Sequence, residues 1–206
     1  MAVNPGTLHP HVTYLPTEPV TLDLHGAPLT DEQFEELFRH SSDLKFELSS
    51  KQELIIVPPT SPDSGLRNSE LITEVALWSR KDKTGIVFDS QTLFTFPNNA
   101  KRSPDVSWMI KQKWEALSPS ERRRFSRVVP DFVIELMSPS DSLADMQVKM
   151  AEYIENGVRL GWLIDPMDKK VHIYRANGEV EILDDPKTVS GEDVLVGFEL
   201  KVQAIW

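Results

Sequence analysis

Cysteine is absent from the 206 residues, which excludes disulfides, thiolate metal sites and a cysteine nucleophile, and leaves any metal to oxygen or imidazole ligands. Long apolar runs are also missing. None approaches the ~20 residues that span a bilayer, so no membrane association is expected. The opening Met1-Ala2-Val3-Asn4-Pro5-Gly6 lacks the charged and apolar regions of a signal peptide, and a cytoplasmic location is expected. Positive charge is scarce, with 22 Lys and Arg against 32 Asp and Glu and a net charge of −10, a poor balance for gripping phosphates. The shortage is uneven: residues 1–75 hold 4 basic and 12 acidic residues, whereas residues 101–130 hold 8 basic and 3 acidic. The five histidines, at 9, 11, 25, 40 and 172, show no paired spacing in the central strands and are assigned no metal role.

What is present reads as one domain preceded by an arm. Residues 1–28 carry prolines at 5, 10, 16, 19 and 28 and little periodicity, so an irregular arm with short extended pieces is expected, followed by a single domain over 29–206. Thr30-Asp31-Glu32-Gln33 is a capping box opening a helix to about His40. Residues 45–57 read as a hairpin, 58–65 as a loop and 66–81 as a helix. Strand segments follow at 85–89, 92–96 and 103–110, then a charged helical excursion over 111–129. Asn177-Gly178 is the turn of a terminal hairpin, with a last short strand near Phe198.

The most informative stretch is Pro130-Asp131-Phe132-Val133-Ile134-Glu135-Leu136-Met137-Ser138-Pro139-Ser140-Asp141. Its apolar run between prolines is that of a strand covered on both faces, yet it carries Glu135. A buried carboxylate is costly unless a cation or backbone donors compensate it. Ser142 caps a helix running to about Asn156, stopped by Gly157. In that helix Lys149 falls roughly 90° from the centre of the apolar stripe, at the edge of the buried face. Arg159-Leu160-Gly161-Trp162-Leu163-Ile164-Asp165 is then a second buried strand. Strand, helix and strand predict a parallel pair, and the whole pattern an α/β sandwich around a central mixed sheet flanked by helices. Asp105 opens the strand before the Glu135 strand. If those strands are neighbours, the two acids are placed to share one hard divalent ion, Mg²⁺ or Mn²⁺.

Three stretches carry a resemblance: Ser103-Pro104-Asp105-Val106-Ser107, the Pro130–Asp141 run, and Glu152-Tyr153-Ile154-Glu155-Asn156-Gly157 through Asp165-Pro166. Over roughly residues 30–206 the chain resembles the Uma-type putative restriction endonuclease family of the PD-(D/E)xK nuclease superfamily. The resemblance implies an α+β, restriction-endonuclease-like fold, with the arm before it and the hairpin at its end. It also implies hydrolysis of DNA phosphodiester bonds by a metal-activated water, with Asp105 and Glu135 as metal ligands. Met137 stands where the superfamily motif has lysine, and Lys149 is the matching position on the next helix. Glu47 matches an acid near the family's first hairpin. A homodimer with DNA as substrate is expected.

Arg122, Arg123, Arg124 and Arg127 are candidates for contacts to the DNA backbone, against a reading as a solvated face. Asp105 alone reads equally as a strand-start cap, and Lys149 alone as an ordinary helix lysine. Asp131 shares a face with Glu135 but lies roughly 13 Å away at ~3.3 Å per residue, too far to share an ion. Asp141 and Asp165 read as turn residues. The rivals to an enzyme are an inactive nuclease-fold interaction or nucleic-acid-binding module and a homodimeric scaffold.

Overall fold

A computed structural model describes residues 18–40, 44–123, 125 and 127–206. In chain order these form β1 (Val20–Asp23), α1 (Asp31–His40), β2 (Lys45–Leu48), β3 (Glu53–Val57), α2 (Pro62–Asp82), β4 (Gly85–Asp89), β5 (Phe94–Thr95), β6 (Lys101–Arg102), β7 (Val106–Ile110) and α3 (Lys111–Ala116). Then come β8 (Phe132–Leu136), α4 (Leu143–Glu155), β9 (Leu160–Asp165), β10 (Lys170–Arg175), β11 (Val180–Asp184), β12 (Thr188–Ser190) and β13 (Glu199–Lys201).

The single central sheet expected from the pattern is accompanied by a second large one and by a two-stranded sheet of β12 and β13. Six strands run in the order β11-β10-β9-β8-β7-β4, and five in the order β1-β3-β2-β6-β5. β8 and β9 are parallel and joined by α4, as the crossover predicts, while β7 and β8 are antiparallel. Part of the expected irregular arm is a strand, because Val20 to Asp23 pair with Ile56 to Glu53. Residues 1–17 lie outside the described residues.

β8 is buried along its whole length, and its alternation divides the core. Phe132, Ile134 and Leu136 pack with Leu71 and Val75 of α2, Trp108, Trp162 and the C-terminal residues Phe198 to Ile205. Val133 and Met137 face the other way, against Met150 and Tyr153 of α4. Glu135 lies between those two in sequence and so shares the α4 face. Each large side chain buried this fully contributes roughly 1.5–3 kcal/mol, so both faces of β8 are firmly held. Gly161 of β9 lets α4 sit close, since a Cβ there would lie 2.6 Å from Met150 Cε.

Two boundaries differ from the sequence reading. α2 starts at Pro62, inside the expected loop, because Ser61 accepts from Ser64 N and Pro62 needs no N–H in the first turn. The excursion after β7 is helical only over Lys111–Ala116, with a separate 3₁₀ turn at Glu121–Arg123. Thr30 and Gln33 close the expected capping box, at 2.9 and 3.2 Å, and Ser142 caps α4 through Asp145 N. Among the described residues no helix is long and apolar enough to cross a membrane.

Candidate active site

The antiparallel register of β7 and β8 pairs Val106 with Ile134. The next step outward sets Asp105 opposite Glu135. The side chain follows the register: Leu136 N donates to Asp105 Oδ2 at 2.9 Å, and Asn68 Nδ2 of α2 approaches Oδ1 at 3.4 Å. Glu135 is 4% exposed. Its Oε1 receives Tyr153 Oη at 2.6 Å and lies 2.9 Å from Lys149 Nζ. Lys149 therefore reaches the strand acid, as its helical phase predicts.

The second sheet closes the site from the opposite side. Glu47 of β2, 3% exposed, accepts at Oε1 from Lys149 Nζ at 3.2 Å and from Ser103 N at 3.0 Å. Its Oε2 accepts from Arg102 Nη1 at 3.3 Å. Arg102 in turn donates through Nε to Glu152 Oε2 at 2.7 Å, while Asn98 Nδ2 and Ser50 N lie 3.2 and 3.4 Å from Glu152 Oε1. The result is a buried chain of alternating charge, Glu152, Arg102, Glu47, Lys149 and Glu135, hydrogen-bonded throughout as burial requires.

The acids of this chain are not equivalent. Burial pushes the Glu135 carboxyl up to about 7, with Asp105 and Glu47 adding to the effect of burial and Lys149 and the Tyr153 hydroxyl opposing it. Burial also raises Asp105, against the pull of Lys45 and the Leu136 N–H. Glu47 goes the other way: burial opposes its charge, but Lys149, Arg102 and Lys45 outweigh it and hold the carboxyl at about 2. Lys149 is held above its ordinary value, because Glu135 and Glu47 overcome the cost of burial. It is thus a permanent cation, suited to orienting a nucleophile or stabilising negative charge and unsuited to accepting a proton.

The donor set fits a hard divalent cation. Asp105 and Glu135 are adjacent carboxylates, both shifted toward protonation chiefly by burial, so a bound cation would favour the ionised form of each. The two contacts to Glu135 fall on Oε1, which leaves Oε2 for a ligand. Among the described residues no three acidic or imidazole side chains form a ready-made cage. Asp105 and Glu135 are the two carboxylates available, and Mg²⁺ is an ion that takes one or two carboxylates and keeps several waters. Asp105 also lines a groove of about 260 Å³ with Thr60, Asn68, Ser69, Asp89 and Ser90, an approach from solvent.

The basic segment is separate. Arg127 pairs with Asp31 of α1 at 2.7 Å, and Arg122 lies 5.1 Å above the Trp114 ring and donates to Glu115 O. Arg123 is exposed, and Arg124 lies outside the described residues. Among the described residues none of these arginines touches Asp105, Glu135, Glu47 or Lys149. Asp131 is held by Lys113 and Ile110 N, Asp141 closes the turn at Ser138, and Asp165 caps the turn at Met167 and Asp168. Their structural readings hold.

Arg102, Glu152, Asn68, Lys45 and the Tyr153 hydroxyl were not singled out by sequence. Glu152 had a signal: three residues after Lys149, it falls on the same edge of α4.

A family model described as Uma2, putative restriction endonuclease, matches residues 31–203. No curated protein matches the sequence. Among solved structures, the crystal structure of a putative nuclease of the DUF820 group from Anabaena variabilis superposes with a TM-score of 0.71. It is 22% identical, and the match covers 86% of this chain and 97% of that one. At that identity the likeness establishes the restriction-endonuclease-like fold.

Proposed function

The chain belongs to the Uma2 family of putative restriction endonucleases, and from that premise we propose that it is a Mg²⁺- or Mn²⁺-dependent nuclease that hydrolyses phosphodiester bonds of DNA. The observation that carries this reading is the meeting of Asp105, Glu135 and Lys149: two adjacent carboxylates with a cation 2.9 Å from one of them. Without Lys149 the replacement of the motif lysine by Met137 would point to an inactive relative. With it, two carboxylates and a lysine stand together, which supports a metal-assisted hydrolase.

Asp105 and Glu135 would hold the ion. When bound, it supplies a Lewis acid that polarises a phosphate oxygen and makes its water more acidic. Leu136 N fixes the Asp105 carboxylate, and Tyr153 fixes that of Glu135. Lys149, fully charged and held between Glu47 and Glu135, would offset negative charge gained by the phosphate. Glu47 holds Lys149 from behind. Arg122, Arg123, Arg124 and Arg127 are proposed to add backbone contacts that carry no sequence information.

The test is cleavage of supercoiled plasmid with Mg²⁺ or Mn²⁺ by the wild type, Glu135→Ala and Lys149→Ala. Cleavage by the wild type alone supports the reading. Absence of both cleavage and metal binding in the wild type would refute it.

A further inference from the structure

Resting on the nuclease reading, we infer that Lys45 is a second phosphate contact of this site, donating to a non-bridging oxygen of the nucleic-acid backbone beside Asp105. Lys45 stands two residues before Glu47 in β2, so both side chains leave the same face of the strand. Its Nζ donates to Ser103 O at 3.2 Å, while Ser103 N donates to Glu47 at 3.0 Å. One residue, Ser103, two positions before Asp105, is therefore held at its carbonyl by the lysine and at its N–H by the acid. Lys45 is also the cation that acts most strongly on the Asp105 carboxylate.

Its partners distinguish it from the other cations here. Lys149 is shared between Glu135 and Glu47, and Arg102 between Glu47 and Glu152. Among the described residues Lys45 has a backbone carbonyl as its hydrogen-bond partner and no carboxylate within ion-pair distance. An ammonium has three donors, so two remain, on a half-buried side chain whose charge acts on Asp105, itself a residue of the solvent groove. A phosphodiester entering that groove meets the carboxylates of Asp105 and Asp89, which repel it. A cation with unused donors is what lets it stay. The exposed arginines are not placed for this contact: among the described residues neither Arg122 nor Arg127 touches Asp105 or Glu135.

The experiment compares full-length wild type, Lys45→Ala and Lys45→Arg in three measurements. These are binding of a fluorescent duplex DNA in Ca²⁺ across a salt series, Mn²⁺ binding by calorimetry, and plasmid cleavage in Mn²⁺. The alanine variant is expected to lose about tenfold or more in DNA affinity and about one unit of salt slope. Its Mn²⁺ affinity should be unchanged or tighter, since a cation near the carboxylates has gone. Lys45→Arg should recover most of the DNA affinity. Wild-type DNA affinity and salt slope in Lys45→Ala would overturn the inference and leave the nuclease reading standing. So would weaker Mn²⁺ binding by Lys45→Ala, which marks a structural strap for the metal site. A wild type that neither binds DNA nor cleaves it overturns both.

Discussion

Lys149 Nζ lies 2.9 Å from Glu135 Oε1 although the two residues sit on different elements, and the contact places a cation beside the acid while Met137 fills the core. Met137 is 4% exposed and packs with Val133, Met150 and Tyr153. The lysine beside Glu135 is delivered by the crossover helix, and the strand is free to be apolar.

Lys149→Ala should therefore lower plasmid cleavage by about 10²–10³-fold, the usual loss when one stabilising group is removed. Mn²⁺ affinity should hold or rise, because Asp105 and Glu135 remain and a competing cation is gone. Lys149→Arg should be intermediate. Calorimetry beside cleavage separates this from collapse of the site, in which both readouts would fall.

Metal binding should depend on pH through Glu135. Its carboxyl is held at about 7 by burial, with Asp105 and Glu47 adding to it. The ion requires the ionised form, so protons compete with it below that value. Mn²⁺ affinity should rise with pH through about 7 and level off above, with proton release on binding. The same group affects folding with a definite sign. A carboxyl raised from 4.5 to about 7 binds more protons in the folded state, so its contribution to stability falls as pH rises between those values. Glu47, held at about 2, acts oppositely: its contribution is complete above 4.5 and is lost as pH falls toward 2. Added Mn²⁺ should raise the melting temperature more at pH 8 than at pH 6. An equal shift at both would exclude Glu135 as the titrating ligand.

Tyr153→Phe isolates the hydroxyl that donates to Glu135 at 2.6 Å. That bond favours the ionised acid, so its loss should raise the Glu135 pKa further and move the pH profile of cleavage to higher pH. Activity should drop near pH 7 and recover in part near pH 8.5. A uniform loss at every pH would mean that the ring positions α4 rather than tuning the acid.

How much of this was legible before the fold was known follows from the range of each signal. The apolar run of β8, the Ser142 cap and the stop at Gly157 are local, and they were enough to place β8, α4 and β9 in parallel order. Lys149 was legible because helical phase is local too. Asp105 needed one assumption, that its strand neighbours β8, and the register supplies it. The second sheet was not legible. β5 and β6 have two residues each, too short for any period, and Lys101 and Arg102 would ordinarily be read as surface charges. Arg102 acquires its meaning from Glu47, 55 positions away, and Glu152, 50 away. Glu47 entered by resemblance, since nothing in Phe46-Glu47-Leu48 reveals what faces it.

That long-range pair yields the strongest stability prediction. Arg102 is 7% exposed and bridges two acids that are themselves nearly buried, Glu47 and Glu152. Removing one member of a buried ion-pair network leaves its partners charged and desolvated, a loss of roughly 3–5 kcal/mol. Arg102→Ala should accordingly lower the denaturant midpoint by that equivalent, more than any substitution at exposed Arg122 or Arg123. Replacing Arg102 and Glu152 together by Met and Leu should recover part of the loss, because fewer buried charges are left unpaired, but Glu47 still lacks its guanidinium. If the single and double variants are equally stable, Glu152 is not coupled to Arg102. If Arg102→Ala matches the wild type, the chain of alternating charge does not hold the second sheet against α4, and Lys149 must be positioned by α4 packing on Gly161 and Val133 alone.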